Sequence, residues 1–367
     1  MGGTLLEHLK ELGLHFDFKR EDRVFQYTTC GWMMWNLYTS SLALGSTFLL
    51  YDGSPFYPDK NILFDLAESE KMTVFGTSAK YISALENAGA KPKETHNLSS
   101  LKTITSTGSP LMPENYEYVY KDIKKDLCLS SISGGTDIIG CFALGSPTLP
   151  VYQGELQCLS LGLKVEVYNE EGKSIKEEKG ELVCTAPFPN MPIYFWNDIN
   201  NERYKKSYFN FYPNVWRHGD WVELTKNNGL IIYGRSDTTL NPGGVRIGTA
   251  EIYRQVEKFE EILECLAIGQ NWKDDQRIIL FLVLKEKHSL NDDLKEKLRK
   301  EIKTNCTIRH VPAKIIEVNA LPRTISGKIA ELAVKKVVHN QEVKNASAFA
   351  NPEALDLFKD ITALKED

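Results

Sequence analysis

Leu101–Ile138 reads LKTITSTGSPLMPENYEYVYKDIKKDLCLSSISGGTDI, and the order of its textures decides the fold. Leu101–Ser106 is a short apolar run that predicts a buried strand. A loop containing Gly and Pro follows at Ser106–Pro110. Tyr116–Lys125 carries helical spacing, Leu127–Ser131 is strand-like again, and Ser130–Ile138 is a second Gly-rich loop. Strand, helix and strand joined by short loops predict parallel pairing, with the helix crossing one face of a sheet.

Toward the N-terminus the same alternation continues. Thr73–Thr77 and Ala43–Tyr51 read as strands. Ile62–Glu70 and Ala79–Ala88 read as helices, and Gly3–Leu14 carries Leu5, Leu6, Leu9 and Leu12 at helical spacing. Toward the C-terminus the texture changes near Pro147. Residues 151–235 hold Gly, Pro and short strand patterns such as Leu163–Tyr168 and Gly180–Thr185, which suit a small antiparallel unit. After Arg235 a helix (Thr249–Phe259), strands (Glu264–Gly269, Arg277–Lys285), a charged helix (Asp292–Asn305), a strand (Lys314–Val318) and a last helix (Lys328–His339) form an α+β unit. The fold class expected is α/β followed by α+β. The expected divisions are 1–150, a mostly parallel sheet with helices; 151–236, a β unit completing that domain; 237–340, a mobile α+β domain; and 341–367, an extension with one amphipathic piece, Pro352–Phe358.

Composition narrows the function classes. The chain has 367 residues, enough for two or three domains, and is 42% hydrophobic and 25% charged. A net charge of −5 without a basic stripe argues against nucleic-acid binding. The 7 cysteines are irregularly spaced with no CxxC pair or other metal-ligand spacing, which predicts a reduced, intracellular protein. The longest apolar run, Leu42–Tyr51, is too short to span a bilayer, and the N-terminus does not read as a secretory signal.

Five segments carry chemistry. Ser106-Thr107-Gly108-Ser109-Pro110 follows a strand, where open sheets bind ligands; its bland alternative is a strand–helix turn. Ser131-Ile132-Ser133-Gly134-Gly135-Thr136-Asp137 offers backbone N–H groups, a hydroxyl for phosphate and a carboxylate for Mg²⁺. The alternative there is a Gly-Gly turn with a helix cap at Thr136 or Asp137. In Trp216-Arg217-His218-Gly219-Asp220 a carboxylate after Gly can accept both hydroxyls of a ribose, or be a turn Asp. Gly234–Glu251, GRSDTTLNPGGVRIGTAE, sets Arg235 and Arg246 around an Asn-Pro-Gly-Gly loop, with Asp237 at the change of texture and Thr249 as the expected cap of the next helix. Leu321–Lys328, LPRTISGK, ends in a lysine that can neutralise a reacting carboxylate and phosphate, but lacks the spacing of a Walker loop.

The joint occurrence of these segments, in this order, resembles the adenylate-forming superfamily. Gly31-Trp32-Met33-Met34-Trp35-Asn36, Tyr51-Asp52-Gly53-Ser54-Pro55 and Phe349-Ala350-Asn351-Pro352-Glu353 bring the resemblance to acetoacetyl-CoA synthetases. The resemblance implies an acid–thiol ligase that uses ATP, Mg²⁺ and CoA to turn acetoacetate into acetoacetyl-CoA in the cytosol, for lipid and sterol synthesis. It implies that Gly108, Ser109 and Pro110 line adenine and that Thr136 meets the α-phosphate. Asp137 helps hold Mg²⁺, Asp220 and Arg235 take the ribose, and Arg246 reaches the phosphate. Lys328 serves adenylate formation, Asp237 is the hinge, and Gly244 lies on the CoA path. Trp32, Met33, Thr107 and Gly134 line the acyl pocket, with Gly134 standing where acetate-activating relatives carry Trp. Gly134 also has a bland explanation, backbone freedom in its loop.

The resemblance further implies a Ser/Thr/Gly-rich phosphate loop shortly before Gly2, and these 367 residues contain no such stretch. The expectation is that the chain corresponds to the C-terminal part of such an enzyme and alone makes little product from ATP. The alternative is a nucleotide- or CoA-binding homologue that does not turn over.

Overall fold

A computed structural model describes residues 2–273, 275–325, 327–343 and 348–366. They divide into two compact units, 1–218 with 222–231, and 219–221 with 232–367.

The first unit is built on a sheet of five parallel strands in the order β2-β1-β3-β4-β5. The strands are β1 (Arg23–Gln26), β2 (Thr47–Leu49), β3 (Val74–Ser78), β4 (Thr103–Thr107) and β5 (Cys128–Ser131). The period of two shows in the register: Val24 lies opposite Val74 and Phe25 opposite Phe75. Phe25 and Phe75 join Phe64, Ile82, Leu85 and Ile104 in one core. Val24 and Val74 join Leu12, Met34, Leu37 and Tyr38 in another. Both faces are covered, which explains why β3 and β4 are each buried at four successive positions. Phe64 stacks on Phe75 with ring centroids 5.6 Å apart. Truncating such a ring to alanine costs about 3–5 kcal/mol.

The covering helices are α1 (Gly2–Lys10), continued by a wider π turn to His15, α2 (Met33–Thr39), α3 (Ile62–Ser69), α4 (Ala79–Asn87), the short α5 (Pro92–Thr95) and α6 (Pro113–Tyr118). The Ser78 hydroxyl caps α4 by accepting the Tyr81 N–H at 3.2 Å. Two expectations are corrected here. Ala43–Tyr51 is not one strand: Ser40–Leu44 forms a 3₁₀ turn, Gly45 reverses the chain in the left-handed region, and only Thr47–Leu49 pairs. The helix expected at Tyr116–Lys125 begins instead at Pro113, where a proline at the first turn removes no hydrogen bond, and its last turn closes at Ile123.

A small sheet, β6 (Ser133–Gly135), β7 (Gly140–Leu144) and β8 (Cys158–Leu159), follows. A second antiparallel sheet is ordered β12-β11-β10-β9, from β9 (Val165–Tyr168), β10 (Lys179–Cys184), β11 (Trp216–Leu224) and β12 (Leu230–Arg235), with α7 (Glu202–Tyr208) before β11. The boundary between the two units passes through β11 and β12.

The second unit centres on β13 (Ile262–Trp272), β14 (Asp275–Leu284) and β15 (Lys314–Glu317), with the first pair antiparallel and the second parallel. Helices α8 (Thr249–Val256) and α9 (Asp292–Asn305) cover one face; α10 (Glu331–Val338) and the turns of Pro352–Phe358 cover the other. Phe358 meets Phe281 edge-on at 4.9 Å, so the C-terminal extension is part of this core. The last helix begins at Glu331 rather than Lys328, because Arg323 and Ile329 pair as a short hairpin. Residues 344–347 and Asp367 of the extension lie outside the described residues. Among the described residues no helix is long and apolar enough to cross a membrane.

Candidate functional site

A sheet ordered 2-1-3-4-5 reverses its winding between β1 and β3, and ligands bind outside the carboxyl ends of the strands at such a point. Here β1 runs out toward Trp32, β3 ends at Ser78 and β4 runs into Gly108. A Cβ built on Gly108 would lie 3.7 Å from the edge of the Trp32 indole and 4.0 Å from the Ser78 Cβ. Trp32, half-buried, precedes α2, and Met33 behind it is buried. The Thr107 hydroxyl donates to the Ile132 carbonyl at 3.1 Å, tying the end of β4 to the segment leading into β6. Gly108 and Ser109 are exposed and Pro110 is half-buried. The fold thus gathers Trp32, Met33, Thr107 and Gly108 at the winding reversal.

Thr136 and Asp137 do not cap a helix. They occupy the turn of a β-hairpin in which Ser133–Gly135 pairs with Gly140–Leu144. Both are exposed, and Asp137 accepts a hydrogen bond from the Tyr208 hydroxyl at 2.7 Å. Tyr208 is in turn stacked on Trp216 at 3.6 Å. Gly134 is confined by its partner strand: a Cβ there would lie 1.9 Å from the Gly140 carbonyl oxygen and 2.6 Å from the Cys141 Cα. That close approach by itself accounts for glycine at this position.

Side chains from distant segments secure this hairpin, and none was legible as functional in the sequence. The His8 ring lies 2.7 Å from the Ile139 carbonyl through Nε2, and 2.8 Å from the Ser40 hydroxyl through Nδ1. The Glu11 carboxylate accepts the Cys141 N–H at 2.6 Å. The Asn190 amide donates to the Ile138 carbonyl at 2.6 Å. His8, Glu11 and Asn190 are all buried. Burial pushes the Glu11 carboxyl up to about 8 from an ordinary 4.5, opposed by Lys10 and the Cys141 N–H and assisted by Glu7. The one available signal was polar residues on the inward stripe of an amphipathic helix.

In the second unit Asp220 is buried, and Arg235 donates to it at 2.9 Å. Asp220 lies inside strand β11, not at a turn. Gly219 before it has φ of +85°, and its carbonyl accepts the Ser236 N–H at 2.8 Å, so the backbone is bent where β12 ends. Asp237 is exposed in the turn after β12, 3.8 Å from the Arg235 guanidinium. Arg246 lies 5.1 Å over the ring of Trp221. The N-cap of α8 is Gly248, whose N–H donates to Glu251 at 3.0 Å; Thr249 is already the first helical residue. The loop carrying Gly244 is pinned at Gly243. Its N–H donates to both oxygens of Asp275 at 3.0 Å, and its carbonyl accepts from Arg309 at 3.1 Å.

Lys328 projects from the Arg323–Ile329 hairpin and is exposed at its surface. Enough protein surrounds the ammonium to lower its pKa; Asp220 opposes that shift and Arg235 adds to it. Ser326 of the LPRTISGK segment lies outside the described residues. Among the described residues no group of three or more His, Cys, Asp or Glu side chains is placed to hold a metal ion. An exposed lone carboxylate such as Asp137 fits a Mg²⁺ that keeps its waters and arrives with substrate phosphates.

Residues 4–195 match the family described as AMP-binding enzyme, and residues 255–328 match the AMP-binding enzyme C-terminal domain. The acetoacetyl-coenzyme A synthetase of Rhizobium meliloti (strain 1021) is 57% identical over 364 residues, covering 99% of this chain and 56% of the relative. The acetoacetyl-CoA synthetase of Gallus gallus is 49% identical over 366 residues, covering 99% of this chain and 55% of the relative. The solved acetoacetyl-CoA synthetase from Streptomyces lividans superposes with a TM-score of 0.93 at 42% identity, covering 100% of this chain and 56% of that one. The chain therefore spans about half the length of the curated relatives it matches.

Proposed function

This chain belongs to the AMP-binding enzyme family, and from that premise we propose that it serves an ATP-dependent acid–thiol ligase whose acid is acetoacetate. The observation that carries the reading is the meeting of Trp32 and Gly108 at the winding reversal of the parallel sheet. A flat adenine and a short acyl group can be held side by side there. Likeness over nearly the whole chain to relatives bearing that activity supports the choice of acid.

The proposed chemistry has two steps. A carboxylate oxygen of acetoacetate attacks the α-phosphorus of ATP, and pyrophosphate leaves. The CoA thiolate then attacks the carbonyl carbon of the mixed anhydride; the bond to the phosphate oxygen breaks and AMP leaves. Gly108, Ser109 and Pro110 bound the adenine, and Asp220 with Arg235 binds the ribose. Thr136 donates to the α-phosphate, and Arg246 and Lys328 supply positive charge as it crowds. Asp137 would help hold Mg²⁺, which would screen the phosphate oxygens. Trp32, Met33 and Thr107 bound the acyl group, with Gly134 acting there through the hairpin backbone. Gly244 borders the thiol path and Asp237 is the pivot between half-reactions. The 7 free cysteines support a cytosolic setting.

The test supplies the second half-reaction directly. Purified chain is mixed with synthetic acetoacetyl-AMP and CoA, a reaction that needs no grip on a triphosphate. Acetoacetyl-CoA and AMP should form above the uncatalysed rate, and faster than acetyl-CoA forms from acetyl-AMP. Tight adenylate binding without thioester would favour a non-catalytic nucleotide-binding homologue instead.

A further inference from the structure

The turn that presents Thr136 and Asp137 is held at three backbone polar groups by side chains from elsewhere in the first unit. Asn190 takes the Ile138 carbonyl, His8 the Ile139 carbonyl and Glu11 the Cys141 N–H. Tyr208 takes the Asp137 carboxylate itself. A Cβ built on Gly140 would lie 2.7 Å from the Asn190 amide and 3.1 Å from the Glu11 carboxylate, so the cradle presses directly on the hairpin backbone. Ile139, at φ of +49°, sits in a conformation that non-glycine residues rarely adopt. A turn of this kind left to itself would sample other conformations. Holding each backbone residue in one well costs conformational entropy, and the cradle offsets that cost before any ligand arrives.

His8 is 1% exposed, Glu11 0% and Asn190 7%, and that burial gives these bonds their rigidity. Polar groups so placed are costly unless bonded, and two of these bonds end on the turn. An ordinary core would place leucine on this stripe of α1. The helix presents His8 and Glu11 there, each aimed at a backbone group of one hairpin.

We propose that His8, Glu11 and Asn190 are positioning residues for phosphate recognition, holding the Thr136–Asp137 turn in the one conformation that meets the α-phosphate. The inference rests on the reading of Thr136 as a phosphate contact. It adds which residues outside the motif set its geometry.

The experiment compares AMP with adenosine on the purified chain by titration calorimetry. Glu11→Leu removes the acceptor for Cys141, Asn190→Ala removes the donor for Ile138, and Glu11→Gln keeps an acceptor oxygen. AMP should bind about tenfold more weakly to Glu11→Leu and Asn190→Ala, adenosine should bind as to the parent chain, and Glu11→Gln should restore AMP affinity. Undiminished AMP affinity in both folded loss variants would overturn the proposal, as would an equal fall for AMP and adenosine in Asn190→Ala. Should Glu11→Leu fail to fold, Asn190→Ala and Glu11→Gln still decide. A parent chain that binds AMP no better than adenosine would instead remove the phosphate reading of Thr136.

Discussion

Arg235 and Asp220 are paired at 2.9 Å, with the carboxylate buried and the guanidinium exposed. The pair joins strand β11 to the last residue of β12. An ionised Asp accepts several hydrogen bonds at once, so the ribose role proposed for Asp220 does not require the pair to break.

Ribose recognition is the role proposed for Asp220. Asp220→Ala should weaken adenosine binding by about 1.5–3 kcal/mol, the range for hydrogen bonds to a charged group. Binding of 2′,3′-dideoxyadenosine should change little, because it lacks the hydroxyls concerned. Calorimetry with both nucleosides decides it, and an equal loss for the two would assign Asp220 a structural task.

Gly134→Ala should lower stability by about 1–3 kcal/mol, the usual cost of forcing a methyl group into a packed site. The added Cβ would meet backbone of β7 rather than a flexible side chain. Denaturant unfolding gives the number. Any preference between acetoacetyl-AMP and acetyl-AMP should survive, both rates falling together. A folded variant that reverses the preference would favour the direct pocket role for Gly134.

Glu11 makes stability depend on pH with a definite sign. Its carboxyl is raised in the folded chain, so its contribution is fully present below about 4.5 and is lost as pH rises through about 8. Glu11→Gln, which cannot ionise, should flatten the fall in thermal midpoint across that window. Parallel pH profiles for the parent chain and Glu11→Gln would mean that the carboxyl titrates normally.

Lys328→Ala should leave the thioester half-reaction from acetoacetyl-AMP nearly intact, because the lysine is proposed to act on the phosphate being attacked. Pyrophosphate exchange with ATP should fall by at least about a hundredfold, the scale for removing one electrostatic group from a transition state. Equal loss in both assays would count against the assignment.

What the sequence by itself determined was local. Periods of two and 3.6 depend on neighbours a few residues apart, so the β3–α4–β4 alternation, the strand ending near Leu284 and the charged helix Asp292–Asn305 were legible. So was the order of the Gly-rich segments. Only tertiary structure decided that Thr136 and Asp137 form a hairpin turn, because that depends on Gly135 finding Gly140 as a partner. It also decided that Glu11 meets Cys141 across 130 positions and Tyr208 meets Asp137 across 71. Loop closure over such separations leaves no periodic trace in the chain, since it is set by how sheet and helix pack together. A buried Glu on a helix stripe looks locally like an error of patterning, and the hairpin backbone it holds gives the reason for it.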